Sequence, residues 1–173
     1  ISPLFNPTGY HYGSVWPLFT GWTALAEYQY GNSTQGFTHI ANNLYIKNNW
    51  ALGFVEEVMH GTVYKPGGVC PHQCWSETNI LHPAITGMIG WKPNAMEKSA
   101  LLAPRFPLHW DTVTVNNLRV GTSVVKFRME RGKIVEQGDR RFRYFEIRGM
   151  NEIIQPSKLI SIERFENVNK FGQ

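Results

Sequence analysis

Apolar positions in the first ninety residues recur at helical spacing, and those after residue 105 alternate. In the first part, Val15, Leu18, Phe19, Trp22, Leu25 and Ala26 share one helical stripe that ends before Gly31, with Ser14 as the expected N-cap and Pro17 in the first turn. A second helix is expected from Ser33, with Phe37, Ile40, Ala41, Leu44 and Tyr45 on one face and Lys47-Asn48-Asn49 as the polar stop. A third begins near Pro71 and carries Trp75, Thr78, Leu81, Ile85 and Met88, and Pro83 should kink or split it. The expected core of this part is Leu25, Phe37, Ile40, Leu44, Leu81 and Ile85, with the sheet packed against it, and Trp22 is expected inside.

From Arg105 onward the period becomes two. Thr112 to Val115, Val124 to Met129 and Phe142 to Ile147 read as strands, with turns at Asn116-Asn117, Arg131-Gly132, Gln137-Gly138-Asp139 and Arg148-Gly149. The fold expected is α plus β, with helices over residues 1–104 and an antiparallel β-domain over 105–173. Between the second and third helices runs a Gly-rich stretch, Trp50 to Val69. A connection of that length is longer than helices in a compact domain need, so the chemistry is sought there.

Charge narrows the partners. The chain of 173 residues carries a formal +4, and its basic residues fall mostly after residue 104, where they alternate with acids, as in Arg128-Met129-Glu130-Arg131. That is the pattern of solvated strand faces rather than of a nucleic-acid surface. No apolar run is long enough to cross a membrane, so no membrane partner is expected; the compartment stays open. Cys70 and Cys74 flank His72, with His60 upstream. This is an untidy version of a zinc ligand set, and a helix start with Cys70 at a cap and Cys74 packed as a small apolar residue is the simpler reading, with no metal and no disulfide. No cofactor is expected.

Four segments carry a resemblance. His11-Tyr12-Gly13-Ser14-Val15-Trp16-Pro17, Glu57-Val58-Met59-His60-Gly61, Cys70-Pro71-His72-Gln73-Cys74-Trp75 and Pro104-Arg105-Phe106-Pro107 with Leu118-Arg119-Val120-Gly121 occur in this order. Together they resemble glycogen-debranching (amylo-α-1,6-glucosidase) enzymes over roughly residues 10 to 130. The resemblance implies a six-hairpin (α/α)6 toroid, of which this chain holds only the closing helices, since a full toroid needs roughly 300 residues or more. It also implies inverting hydrolysis of an α-glucosidic bond in an oligo- or polysaccharide, with a late Glu as general base. Tyr12 stands where the family has Asn, and Leu18-Phe19 where it has polar residues, so the sugar itself stays open; α-L-rhamnosidases share the architecture.

Inverting hydrolysis needs an acid and a base on opposite sides of the sugar, about 6.5 to 9.5 Å apart. Residues 1–104 contain no Asp, and their acids are Glu27, Glu56, Glu57, Glu77 and Glu97. Glu57, on the Gly-rich stretch and at the family position, is the candidate base, with its neighbour Glu56 second; either could instead solvate the loop, and Glu77 could serve a helix N-terminus. The acid is expected upstream of this chain, so the isolated chain is expected to be inactive. His11, Tyr12, Trp16, His60, Gln73 and Trp75 are the candidate sugar-binding residues, through ring faces and hydrogen bonds to hydroxyl groups. The competing readings are a non-catalytic carbohydrate-binding or structural module and a Cys/His metal module. Self-association, or docking with the absent half of the toroid, is expected wherever helix faces are left bare.

Overall fold

The computed structural model describes residues 2–48, 52–97, 99–137 and 160–161. The chain is α plus β and divides into two units, Ile1–Met88 and Ile89–Gln173, each with its own core.

The first unit contains α1 (Pro17–Gln29), α2 (Ser33–Ile46) and α3 (Cys74–His82), and α3 runs on into a wider π-helical turn, Pro83–Met88. Pro83 has no N–H to continue the α-ladder, so the split falls at the expected residue. Its start signals differ from expectation. Ser14 does not cap α1; Trp16 occupies that place with no side-chain capping bond, and Pro17 is the first helical residue. The reason is that Val15 exchanges both backbone hydrogen bonds with Met59, at 2.9 and 2.7 Å, so the chain is extended where Ser14 would have opened a helix. Ser33 is likewise the first residue of α2 rather than its cap, which is Asn32.

Burial corrects the reading of the helices more deeply. The buried residues are Pro17, Gly21, Ala24 and Tyr28 on α1, Gly36, Ile40, Asn43 and Ile46 on α2, and Ser76, Asn79 and Ile80 on α3. Of the six residues expected to form the core, only Ile40 is buried; Leu25 and Phe37 are half-buried, and Leu44, Leu81 and Ile85 are exposed. Trp22, expected inside, is 53% exposed. The helices meet through small residues. Gly36 and Gly87 lie on the Tyr28 ring, where an added Cβ would stand 2.7 and 2.6 Å from a ring carbon. Such close backbones bring the ring of Tyr28 to the centre and turn the larger apolar side chains outward. Asn43 Nδ2 donates to the Pro17 carbonyl at 2.9 Å and ties α2 to the first turn of α1.

The second unit is built from two small antiparallel sheets. The first orders β1 (Trp91–Asn94), β2 (Ser99–Leu102) and β6 (Ile160–Ser161) side by side; the second is a meander of β3 (Thr112–Val120), β4 (Ser123–Glu130) and β5 (Lys133–Gln137). Strand structure therefore begins at Trp91, before the change of period at Arg105. Trp91, Ala100 and Leu102 from the first sheet share a core with Leu118, Val120, Val125, Phe127 and Met129 from the second. On β4, Ser123, Val125, Phe127 and Met129 alternate inward with half-buried or exposed neighbours, as expected of a strand with one covered face.

The expected turn at Asn116-Asn117 is instead a β-bulge inside β3, with Asn117 at φ 62° and the register shifting between Val115 and Leu118. An extra residue reverses the parity of a strand. Val113 and Val115 before the bulge and Leu118 and Val120 after it thereby face the same side. The Arg131-Gly132 turn forms as expected, with φ of 48° and 76°, the two left-handed residues of a type I′ hairpin. The strand expected over Phe142 to Ile147 and the turns at Gln137-Gly138-Asp139 and Arg148-Gly149 lie, Gln137 apart, outside the described residues.

Candidate active site

The Gly-rich stretch is ordered by backbone pairing. Met59 bridges to Val15 on one side and to Pro66 on the other, His60 N donates to Lys65 O at 3.0 Å, and Gly67 N donates to Val58 O at 2.8 Å. Glu57 N donates to Cys70 O at 2.9 Å and Gln73 N to Val55 O at 3.0 Å, so the segment entering α3 is laced to the same strand. Residues 55 to 61 thus form an extended spine with the chain folded against both edges. Gly61 is required for this closeness: a Cβ there would stand 2.0 Å from the Gly13 carbonyl oxygen.

This spine carries Glu56 and Glu57, which are 4% and 6% exposed. Two adjacent buried acids are uncommon, because a carboxylate taken from water needs a partner. For Glu57 the partner is Tyr10, whose hydroxyl donates to Glu57 Oε1 at 2.7 Å. The bond to the carboxylate, with the added cost of burial, raises the Tyr10 phenol above its usual value of 10.0, so the hydroxyl stays a donor. Glu56 is governed by burial, which pushes its carboxyl above the usual 4.5.

Tyr10 belongs to an aromatic group. Its ring meets Trp16 edge-on at 4.6 Å and His11 at 4.7 Å, and Trp16 Nε1 donates to the Tyr10 carbonyl at 3.0 Å. His11 stacks on Trp16 at 6.1 Å, and the contacts continue along α1 from Trp16 to Phe19 at 5.6 Å and on to Trp22 at 5.3 Å. Trp16, Phe19 and Trp22 follow the i+3 ridge of the helix, and Phe19 and Trp22 are about half exposed.

Of the residues expected to form the site, the structure joins Glu57 to Trp16 and His11 through Tyr10. His60 lies on the same spine, but its Nδ1 accepts from the Thr62 and Val63 amides at 3.2 and 3.3 Å, so the ring nitrogen facing the loop is spent on holding it. Gln73 precedes α3, where its carbonyl accepts from Ser76 N and Glu77 N and its side chain makes no capping bond. Tyr12 and Trp75 are exposed, and neither enters the hydrogen bonds and ring contacts that join Tyr10, His11, Trp16 and Glu57 among the described residues. Glu77, in the first turn of α3, stands 3.2 Å from His72 Nε2 without the alignment of a hydrogen bond, and His72 stacks on Phe54 at 4.1 Å.

Tyr10 was not singled out from the sequence. Its one signal there is position, immediately before the His11-Tyr12 pair, and only the fold shows that its hydroxyl reaches a residue 47 positions away.

Cys70 and Cys74 are both free, Cys70 with its thiol donating to the His72 carbonyl at 3.1 Å. Cys74 is exposed at the first position of α3 rather than packed as a small apolar residue. No cluster of three or more His, Cys, Asp or Glu able to hold a metal occurs among the described residues, and none of their helices is long and apolar enough to cross a membrane. Comparison with protein-family models, with curated proteins and with solved structures returns no match.

Proposed function

We propose that this chain is the closing part of an inverting glycoside hydrolase of the α/α-toroid type, acting on α-glucosidic bonds, with Glu57 as the general base and the general acid supplied from outside this chain. The observation that carries the reading is Glu57 itself: a buried carboxylate, at the motif position of debranching enzymes, bonded at 2.7 Å to a tyrosine set against Trp16. A base of this kind must be ionised, held still and screened from bulk water, so that one water attacks the sugar. In the reaction the water gives a proton to Glu57 while its oxygen bonds to the anomeric carbon. The glycosidic C–O bond breaks, and the leaving oxygen takes the proton of the acid. Exposed apolar side chains on all three helices, among them Phe19, Trp22, Leu44 and Leu81, fit helices that pack against further hairpins of a toroid.

A non-catalytic carbohydrate-binding module is the second reading, favoured by the aromatic ridge Trp16, Phe19, Trp22, since ring faces stack on the C–H faces of pyranoses whether or not a bond is cut. One experiment separates the two. In the enzyme carrying both this chain and the acid, Glu57→Gln keeps shape and removes basicity, so turnover of an α-1,6-linked glucoside should fall by about 10² or more with binding retained. Glu56→Gln should be much milder. Turnover kept by Glu57→Gln removes this residue from the chemistry, and sugar binding with no turnover in the unaltered protein selects the second reading.

A further inference from the structure

We infer that Tyr10 is a positioning residue for Glu57: its hydroxyl holds Oε1 in place, so that Oε2 is the oxygen presented to the attacking water. The inference rests on the reading of Glu57 as the base. A carboxylate on a flexible side chain can offer either oxygen in many orientations, and effective general-base catalysis needs one of them fixed.

Donor and acceptor are both anchored, which is what separates a clamp from a passing contact. On the donor side, the Tyr10 ring is held edge-on between His11 and Trp16, at 79° and 67°, and its carbonyl takes the Trp16 indole N–H. On the acceptor side, Glu57 N is bonded to Cys70 O, and two residues later Met59 exchanges both backbone bonds with Val15. Gly61 N to Pro7 O, at 2.8 Å, ties the same two segments together, and Asn6 N to Tyr12 O, at 3.2 Å, closes the loop that carries Tyr10. The hydroxyl adds little to this packing, because a phenyl ring would make the same edge contacts. Its evident role is the short, charge-assisted bond to the carboxylate. The titratable groups around the pair are His11, whose ring meets that of Tyr10, Cys70, which acts on Tyr10 together with Glu57, and the neighbouring Glu56.

Two measurements on this chain and one on the enzyme test the clamp. In the chain, the two Hγ protons of Glu57 should give separate NMR signals because the side chain is fixed, and Tyr10→Phe should merge them while the amide spectrum of the helices is unchanged. If Tyr10→Phe does not fold, the tyrosine Cζ resonances of the unaltered chain decide: Tyr10 should titrate late, Glu57→Gln should bring it back toward the ordinary phenol value, and Glu56→Gln should leave it late. In the enzyme that includes the acid, Tyr10→Phe should lower kcat at least ten-fold with KM unchanged, a split that loss of stability alone does not produce. Separate Hγ signals in a folded Tyr10→Phe, a Tyr10 titration indifferent to Glu57→Gln, or an undiminished kcat would each overturn the clamp. Absence of hydrolysis in the unaltered protein strikes the base assignment instead, and the two measurements on the chain still judge the clamp.

Discussion

The helical unit and the sheet unit fill their interiors differently, although both bury large apolar residues, Tyr28 and Ile40 among them in the helical unit. In the sheet unit the interior is made by large side chains, with Phe127 1% and Leu102 2% exposed. In the helical unit Gly21, Gly36, Ala24, Ser76 and Gly87 lie inside, while Phe19, Trp22, Leu81 and Ile85 are 41% exposed or more. The contrast shows what the size of a side chain measures. Between sheets, layers stand about 10 Å apart and need bulk to fill the gap. Between helices that approach at their glycines there is little gap to fill beyond the ring of Tyr28, and much of the remaining bulk is turned outward.

The sharpest way to break the comparison is a large-to-small change in the sheet unit. Phe127→Ala removes a ring that is packed on all sides and should destabilise that unit by about 3–5 kcal/mol, measured by denaturant unfolding. A loss no larger than that of an exposed residue would mean that the two sheets do not share a tight core.

The reverse change tests the helical unit. Gly36→Ala would put a methyl group 2.7 Å from Tyr28 Cδ2, and Gly87 lies against the same Cδ2 and the adjoining Cγ, so the ring has little room to yield. Alanine is the better helix former by about 1 kcal/mol, yet overpacking costs about 1–3 kcal/mol, so a net loss of up to about 2 kcal/mol is expected. A gain in stability would show that the close helix approach is looser than its geometry.

The same contrast explains how much of the molecule is legible in its sequence. Alternation along β4 translates directly into burial, because a strand has two faces and one is covered. The order of helices, the split at Pro83 and the Arg131-Gly132 hairpin follow from local rules that no distant contact overrides. The faces of the helices do not follow, since apolar residues surround much of α1 and the choice between them is made by glycines whose partners lie on other helices. Ser14 is a fair cap by type, but the bridge from Val15 to Met59 claims the backbone first. At the candidate site, Glu57 draws notice in the sequence through its Gly-rich surroundings, whereas its bond to Tyr10 does not, because nothing local to either residue records a contact across 47 positions.

Glu56 offers a smaller effect with a definite sign. Burial raises its folded carboxyl above the usual 4.5, so the ionised form is penalised in the folded state. Below that usual value the group is protonated both folded and unfolded, and no penalty arises. As pH rises through the raised folded value, the unfolded chain gives up the proton more readily and stability is lost. Glu56→Gln should therefore raise the melting temperature at pH 7 and change it little at pH 4. A gain that is equal at both pH values would assign the effect to packing rather than to charge.

The smallest effect is expected where the sequence alone would place the largest. Trp22 carries the biggest side chain on α1, yet it is 53% exposed, and Leu81 on α3 is 60% exposed. In the dilute monomer, Trp22→Ala and Leu81→Ala should each change unfolding stability by no more than about 0.5 kcal/mol, as surface substitutions do. A loss of several kcal/mol under those conditions would return these residues to the core and dissolve the contrast between the units. At higher concentration the two substitutions acquire a second use. Bare apolar helix faces favour self-association, so sedimentation velocity should show the unaltered chain associating at concentrations where Trp22→Ala stays monomeric. A face that matters to association but not to monomer stability is one that another surface covers, as the neighbouring hairpins of a toroid would. If Trp22→Ala leaves association unchanged, the aromatic ridge is not that face, and its rings are left to the carbohydrate reading.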